Sequence, residues 1–223
     1  MVENVNVYVS GIFFNAPGRN DNRFGYAGVA ISCPVYENFM NMNSEEPLLE
    51  LENVETHMIT PARAKLWSVI RGMEAILERF NRYGATRGMK YTLISDDLNA
   101  VKNILEWGPS YVKKYGSNIE NWRNSRNGPV LDADLIQKGM ELYKGCRYRV
   151  ENYDLQEFEL TYRPMNLDDF GPGLAHALAE QAANVEKRRA QGLDDYPESE
   201  DEYFFIDGAT IGKPHWGNVY FKA

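Results

Sequence analysis

Short stretches of alternating or β-branched residues predict β-strands at four places in the chain. In the first, valines alternate with Asn6 and Tyr8. Runs of this length that are rich in valine, isoleucine and aromatic residues are typical of strands. The predicted strands comprise residues 5–9, 25–31, 91–94 and 158–162.

Breaks in this pattern set the expected limits of the strands. Ser10 and Gly11 are expected to end the first strand, and Gly25 and Gly28 in the second indicate either close approach of another backbone or a bulge. Residues 41–47 are turn-like, and residues 48–54 are expected to supply a further strand at a sheet edge.

Apolar residues at helical spacing predict four helices, and the longest of them has a clear start. Thr60 is suited to cap it, Pro61 fits its first turn, and Gly84 is expected to end it. The predicted helices comprise residues 61–84, 98–105, 132–144 and 173–189. A connection at residues 108–129 is rich in glycine, proline, tryptophan and basic residues.

The central strand and helix meet at a polar junction. Ser95 or Asp96 is expected to cap the helix, and Asp96 follows the carboxyl end of the strand, where open α/β sheets place their functional groups. The alternative is that Asp96 is only a capping residue.

Composition narrows the class of protein. The 223 residues are 43% hydrophobic and carry a net charge of −8, whereas proteins that bind a phosphate backbone usually carry a net positive charge or a basic patch.

The two cysteines make no disulfide framework, and both are expected to be buried and reduced. Without an 18-residue apolar run or a signal pattern, the chain is predicted to be intracellular, in cytoplasm or nucleus, with no membrane partner.

The order of these elements and five short motifs resemble type 1 ribonuclease H over about residues 4–187. The resemblance implies an α/β fold with a five-stranded mixed sheet flanked by helices, in a domain of residues 1–190, followed by a C-terminal extension at 191–223. The motifs are residues 8–11, residues 25–29, residues 63–66, Ser95-Asp96-Asp97 with Trp107, and residues 128–130 with Asp134-Leu135.

That family binds two divalent cations with four carboxylates, which activate water for hydrolysis of an RNA strand. Matching the motifs places these carboxylates at Ser10, Lys65, Asp96 and Leu178, so that Asp96 alone is retained. A shifted register would put Glu180 in the fourth position instead. We call Ser10, Lys65, Asp96 and Leu178 the four-position site.

The charge at this site predicts a loss of catalysis. Lys65 replaces an anionic oxygen with a cation, and it is expected to pair with Asp96. The resemblance therefore implies a pseudoenzyme without metal or other cofactor.

Residues that would hold nucleic acid are changed as well. Pro61 stands where the family usually has an asparagine that contacts the RNA 2′-hydroxyl, and Asp132 stands in the DNA-phosphate pocket, where a carboxylate repels phosphate. A basic, aromatic surface is nevertheless retained as a nucleic-acid candidate, with core packing as the alternative for its aromatic residues. The candidates are Trp107, Tyr111, Lys113, Lys114, Trp122, Arg123 and Arg126.

The C-terminal tail combines an acidic stretch with apolar clusters. Residues 193–202 are acidic and interrupted by proline, which is typical of a linker, whereas the segments after it are too apolar to remain in water. The partner-binding candidates are Tyr203, Phe204, Phe205, Ile206, Trp216, Tyr220 and Phe221.

Three hypotheses for function follow. The first is an inactive ribonuclease H-like scaffold that binds a protein partner, favoured by the changed site, the acidic charge and the tail. The second is a non-catalytic binder of RNA/DNA hybrid or double-stranded RNA. The third is a residual metal-dependent ribonuclease H with rearranged acids.

Overall fold

The computed structural model describes residues 3–15, 25–33, 44–51, 59–83, 89–152, 157–193, 204–206 and 209–211. Its strands are β1 (Glu3–Asn15), β2 (Gly25–Ser32), β3 (Ser44–Pro47), β4 (Met89–Ser95), β5 (Glu157–Tyr162), β6 (Phe204–Ile206) and β7 (Ala209–Ile211). Its α-helices are α1 (Leu48–Leu51), α2 (Pro61–Tyr83), α3 (Leu98–Lys102), α4 (Gly108–Tyr115), α5 (Ala133–Asn152) and α6 (Phe170–Ala190). A π-helical turn, Asn103–Trp107, joins α3 to α4, and Ile119–Asn121 forms a 3₁₀ turn.

Five strands form one mixed sheet in the order β3-β2-β1-β4-β5. β1 is antiparallel to β2 and parallel to β4, and β5 continues the parallel set. The short strand β3 pairs antiparallel with β2 at the other edge. The prediction of an α/β protein with a mixed sheet flanked by helices is confirmed.

Helices cover both faces of the sheet. Val7 of β1 and Leu93 of β4 are fully buried in the larger core cluster, which they share with residues of α2 and α5. On the other face α6 packs on β2 and β1 with a second, smaller cluster. Gly28 makes this possible, because a Cβ there would lie 2.2 Å from the carbonyl oxygen of Ala179. The predicted close backbone approach at Gly28 is confirmed.

The first strand does not end where the sequence predicted. β1 runs through Ser10 and Gly11 to Asn15, paired with β2 along its second half. Gly11 is needed for packing rather than for a turn, because a Cβ there would lie 2.3 Å from the carbonyl oxygen of Ala64.

Two other expectations are wrong. The edge strand is Ser44–Pro47, within the segment expected to be a turn, and Leu48–Leu51 forms a helical turn instead of a strand. Leu48 is fully buried, which explains its apolar character without a strand. The first third of the expected connection, Gly108–Tyr115, is helical.

Helix α2 begins as predicted, since the amide of Arg63 donates to Thr60 Oγ1 at 3.1 Å. It ends at Tyr83, and Gly84 lies outside the described residues. Among the helices that the structure describes, none is long and apolar enough to cross a bilayer.

The C-terminal strands β6 and β7 form an antiparallel pair apart from the main sheet. Only the backbone of Phe204, Phe205 and Ile206 is described, and Tyr203, Trp216, Tyr220 and Phe221 lie outside the described residues. The division into residues 1–190 and 191–223 stays a prediction, although α6 ends at Ala190.

Candidate functional site

The parallel ladder between β1 and β4 ends beside Ser10, in the middle of β1, and Asp96, directly after β4. Val9 pairs with Ser95 in the parallel ladder, so the next residues of the two strands lie side by side. Close packing of Gly11 against α2 places the second turn of that helix, which carries Lys65, over the same point.

Lys65 is bound to both oxygens of Asp96. Its Nζ lies 3.0 Å from Oδ1 and 2.9 Å from Oδ2 of the carboxylate. Ser10 Oγ donates to Oδ2 at 3.3 Å. The Ser10 residue is 1% exposed, and the side chains of Lys65 and Asp96 are 25% and 9% exposed. The predicted pairing of Lys65 with Asp96 is confirmed, and it neutralises the pair within a mostly buried site.

The helix after β4 is capped by a residue that the sequence analysis did not single out. Asp97 caps α3 by accepting the amide of Ala100 at 2.7 Å, and Ser95 Oγ accepts the amide of Asp97 at 3.2 Å. The expectation that Ser95 or Asp96 is the cap is wrong. With Asp97 as the cap, the Asp96 carboxylate faces Lys65.

Leu178, the last residue of the four-position site, lies in an apolar contact. Leu178 is 5% exposed and packs with Ala30, Leu174 and Ala179 between α6 and the sheet. Glu180 is exposed, so the shifted register does not turn a carboxylate toward the sheet. No carboxylate of α6 therefore joins Asp96 through either register.

The space beside Asp96 is small. Tyr8, Arg163, Met165 and Pro172 close around it and leave a cavity of about 10 Å³. Mg²⁺ keeps several of its waters when it binds protein, and a cavity of this size holds about one water. In the described part of the chain, no group of three or more His, Cys, Asp or Glu side chains is arranged to hold a metal. These residues do not fit a two-cation site.

A second charged cluster joins the starts of α2 and α5. Arg63 is 4% exposed and binds both oxygens of Asp134, at 3.0 and 2.7 Å, and Asp132 Oδ1 at 3.2 Å. Asp132 has a φ of 59°, in the left-handed region that asparagine and aspartate tolerate better than most residues. Two carboxylates thus surround one guanidinium, which gives this surface an acidic rather than a phosphate-binding character.

Two of the predicted nucleic-acid residues are packed in the core. Trp122 is fully buried, stacks on Tyr111 with ring centroids 5.4 Å apart, and donates from Nε1 to the carbonyl of Gly116 at 2.9 Å. Since a buried ring offers no face to a base, the core-packing alternative describes Trp122, and Tyr111 is its half-buried neighbour.

The remaining candidates are more accessible. Trp107 is 40% exposed at the end of the π-helical turn, and Lys113, Lys114 and Arg126 are exposed. Arg123 donates from Nη1 to the carbonyls of Glu120 and Trp122, so its guanidinium is partly engaged within the loop.

Comparison with known proteins gives the fold. No family model matches the chain, and no curated protein matches it. Among solved structures, the RNase H domain of PFV is 15% identical, with a TM-score of 0.53 over 81% of this chain and 94% of that one. LC9-RNase H1, described as a type 1 RNase H with the type 2 active-site motif, is 17% identical, with a TM-score of 0.54 over 83% of this chain and 74% of that one. The foamy viral protease-reverse transcriptase in complex with dsDNA is 15% identical, with a TM-score of 0.52 over 80% and 93%.

The chain has a ribonuclease H-like fold. Identities this low establish the fold alone. What the site of this chain does chemically has to be argued from its own residues.

Two features near Asp96 were not predicted from the sequence: the contact of Arg63 with Asp132 and Asp134, and the position of Arg163. The start of α5 lies between two carboxylates, Asp132 and Asp134. Their spacing could have indicated a partner for Arg63, which lies near Lys65 on α2. Arg163 closes the cavity beside Asp96, but it follows a strand that pairs through its backbone, and nothing in its sequence neighbourhood points to the site.

Proposed function

We propose that this protein is a catalytically inactive ribonuclease H-like protein that acts as a protein-interaction scaffold. The observation that carries the proposal is the contact between Lys65 Nζ and both carboxylate oxygens of Asp96. A lysine in this position occupies the acceptor atoms that a catalytic cation would need.

The positive charge of Lys65 opposes the binding of a divalent cation at this site. A divalent cation about 4 Å from the ammonium of Lys65 would be repelled by about 8 kcal/mol at an effective dielectric constant of about 20. Asp96 alone supplies one negative charge, which the lysine already neutralises. Ser10 contributes a neutral hydroxyl and Leu178 an apolar side chain in place of further anionic ligands.

The scaffold role is supported by charge and by the tail. A net charge of −8 favours protein partners over a phosphate backbone. The aromatic residues of the C-terminal tail supply the side chains that are enriched at protein interfaces. A protein partner bound through this tail is therefore our first candidate.

Cleavage of RNA in an RNA/DNA hybrid tests the inactive state. We expect no hydrolysis above background with Mg²⁺ or Mn²⁺, and no difference between the unaltered protein and Asp96→Asn. Metal-dependent cleavage that Asp96→Asn abolishes would show that the protein is a residual ribonuclease H with rearranged ligands.

A second candidate is non-catalytic binding of RNA/DNA hybrid or double-stranded RNA. The exposed Trp107 and the exposed Lys113 and Lys114 of the next helix favour it, because aromatic rings stack on bases and ammonium groups bind phosphates. The foamy viral protease-reverse transcriptase has been solved with RNA/DNA hybrid and has a TM-score of 0.53 to this chain.

Salt-dependent binding distinguishes the two candidates. Binding to hybrid that weakens with added salt, and that is lost in Lys113→Ala/Lys114→Ala, supports the second candidate. Lys144→Ala, at an exposed lysine of α5, is the matched control. Absence of saturable binding at low salt excludes the second candidate, so that the protein-interaction scaffold remains as the proposed function.

A further inference from the structure

β5 forms one edge of the main sheet. It pairs with β4 on one side, and none of the strands that the structure describes pairs with its other side. A strand edge of this kind presents backbone N–H and C=O groups to which another strand can add.

The backbone polarity of β5 fixes which residues point to the open edge. The amide of Arg163 donates to the carbonyl of Ser95 on β4 at 3.0 Å, so the ladder extends one residue past the strand. Because successive residues of a strand direct their N–H and C=O groups to opposite sides, the odd-numbered residues of β5 bond to β4. Phe158, Leu160 and Tyr162 therefore direct their backbone groups outward.

Side chains on one face of β5 change charge along the strand. Glu157 and Glu159 come first, with side chains 50% and 45% exposed, then Thr161, and the exposed Arg163 comes last. An antiparallel copy of the same strand would present this order in reverse.

We propose that two copies of this protein associate through antiparallel pairing of β5 with β5 about a twofold axis at Leu160. In this register Phe158 faces Tyr162 of the second copy and Leu160 faces its counterpart, which pairs all the outward backbone groups. Glu157 then lies opposite the second copy's Arg163, twice in the dimer, and Glu159 lies opposite Thr161. Opposite-charge pairs at directly facing positions stabilise antiparallel strands.

Like charges or a lost backbone pairing exclude the neighbouring registers. An axis at Glu159 places two Glu159 side chains opposite each other, and an axis at Phe158 places Glu157 opposite Glu159, so both bring like charges together. An axis at Thr161 pairs Glu159 with Arg163 but loses the pairing at Phe158, because its partner would be Pro164, which has no N–H. The axis at Leu160 is the register that satisfies both backbone and charge.

The interface is a single strand pair, so the dimer is expected to be weak. A contact of this width lies at the low end of specific interfaces, and we expect a dissociation constant of about 10 to 100 µM. Lys90, which binds Glu157 at 3.0 Å and Glu159 at 3.1 Å, holds both carboxylates on this face within each copy.

A charge swap measured by sedimentation equilibrium on the full chain tests the register. Arg163→Glu should weaken the dimer by about tenfold or more, since it sets two carboxylates against each other at both ends. Glu157→Arg should do the same, and the double variant Glu157→Arg/Arg163→Glu should restore association. Arg126→Glu, at an exposed arginine away from β5, is the control and should leave the constant unchanged.

The backbone edge is tested separately with Tyr162→Pro. The N–H of Tyr162 points away from β4, so proline there leaves the sheet intact but removes two intermolecular hydrogen bonds from the dimer. Circular dichroism checks the fold, and hydrogen exchange of the Phe158, Leu160 and Tyr162 amides should slow as protein concentration rises.

Three results would overturn the proposal. The first is a monomer at all concentrations up to about 1 mM, far above the expected constant. The second is a dimer that the double charge swap fails to restore. The third is protection of the edge amides that does not depend on concentration, which would assign the edge to a segment of the same chain, such as the β6–β7 hairpin.

Discussion

Removing Asp96 should destabilise the protein more than removing Asp96 and Lys65 together. The Lys65 ammonium is held by two contacts of 2.9 and 3.0 Å in a site where its side chain is one quarter exposed. Asp96→Ala leaves that cation without its counter-ion, whereas Lys65→Met/Asp96→Ala leaves no charge. An uncompensated charge in a mostly buried site costs more than the loss of the whole pair.

The expected magnitude follows from burial. Breaking a fully buried ion pair costs about 3 to 5 kcal/mol, and the partial exposure of Lys65 reduces this to about 2 to 3 kcal/mol for Asp96→Ala. For a protein of this size, such a loss lowers the melting temperature by about 4 to 12 °C. The double variant should recover a substantial part of it. The loss of the Ser10 hydrogen bond is common to both variants and cancels in the cycle.

The assay is urea unfolding of the unaltered protein, Asp96→Ala, Lys65→Met and the double variant. We expect a coupling energy of about 1 to 3 kcal/mol between the two positions. The control is the more exposed pair Lys90 and Glu159, with N···O 3.1 Å, for which the coupling should be weaker than between Lys65 and Asp96. Equal coupling energies in both cycles, or additive effects of the Lys65 and Asp96 substitutions, would contradict the claim that these two residues form a partly buried ion pair.

Further predictions concern two substitutions, measured by unfolding, and the two buried cysteines, measured by thiol labelling and by the pH dependence of stability. Gly28→Ala should destabilise by about 1 to 3 kcal/mol, because its Cβ would meet a backbone carbonyl of α6, whereas Gly145→Ala in α5 has 3.6 Å of clearance and should stabilise by up to about 1 kcal/mol. Arg63→Ala should cost about 2 to 4 kcal/mol, because it removes the buried guanidinium that binds Asp134 and Asp132, and an unchanged free energy of unfolding would contradict this. Burial raises the pKa of Cys33 to about 11 and that of Cys146 to about 12, so a thiol reagent at pH 8 should label neither in the native protein and both in urea. Because the unfolded thiols ionise at their ordinary pKa of 9.0, stability should also fall as pH rises from 9 toward 11, and unchanged stability there would contradict the shifts.

The pairing at the site was predicted from the resemblance to ribonuclease H, which places Lys65 and Asp96 together, and local patterns define the elements that carry the two residues. Thr60 and Pro61 define the start of α2, and the apolar run before Asp96 defines the end of β4, so both residues are placed by their elements. The capping residue was less certain, because Ser95, Asp96 and Asp97 are all able to cap and only the tertiary contact with Lys65 selects Asp97.

Other features depended on contacts distant in sequence. Gly11 has the composition of a strand break, but its role is to admit the backbone of α2, which local patterns do not reveal. Trp122 lies in a basic loop, where the sequence left both core packing and nucleic-acid binding open, and its stacking on Tyr111 and full burial agree with core packing. The residues 44–47 form an edge strand because β2 offers them a partner, although their own sequence is acidic and contains proline.

Binding of Mn²⁺ to the unaltered protein tests the central claim most directly. Paramagnetic broadening of backbone amide signals reports where the ion sits, and Asp96→Asn identifies any contribution of this carboxylate. With Lys65 bound to both oxygens of Asp96, we predict no saturable broadening at Ser10, Lys65 or Asp96 up to millimolar Mn²⁺. Saturable broadening centred on Asp96, lost in Asp96→Asn, would contradict the account by showing that a catalytic cation displaces the lysine.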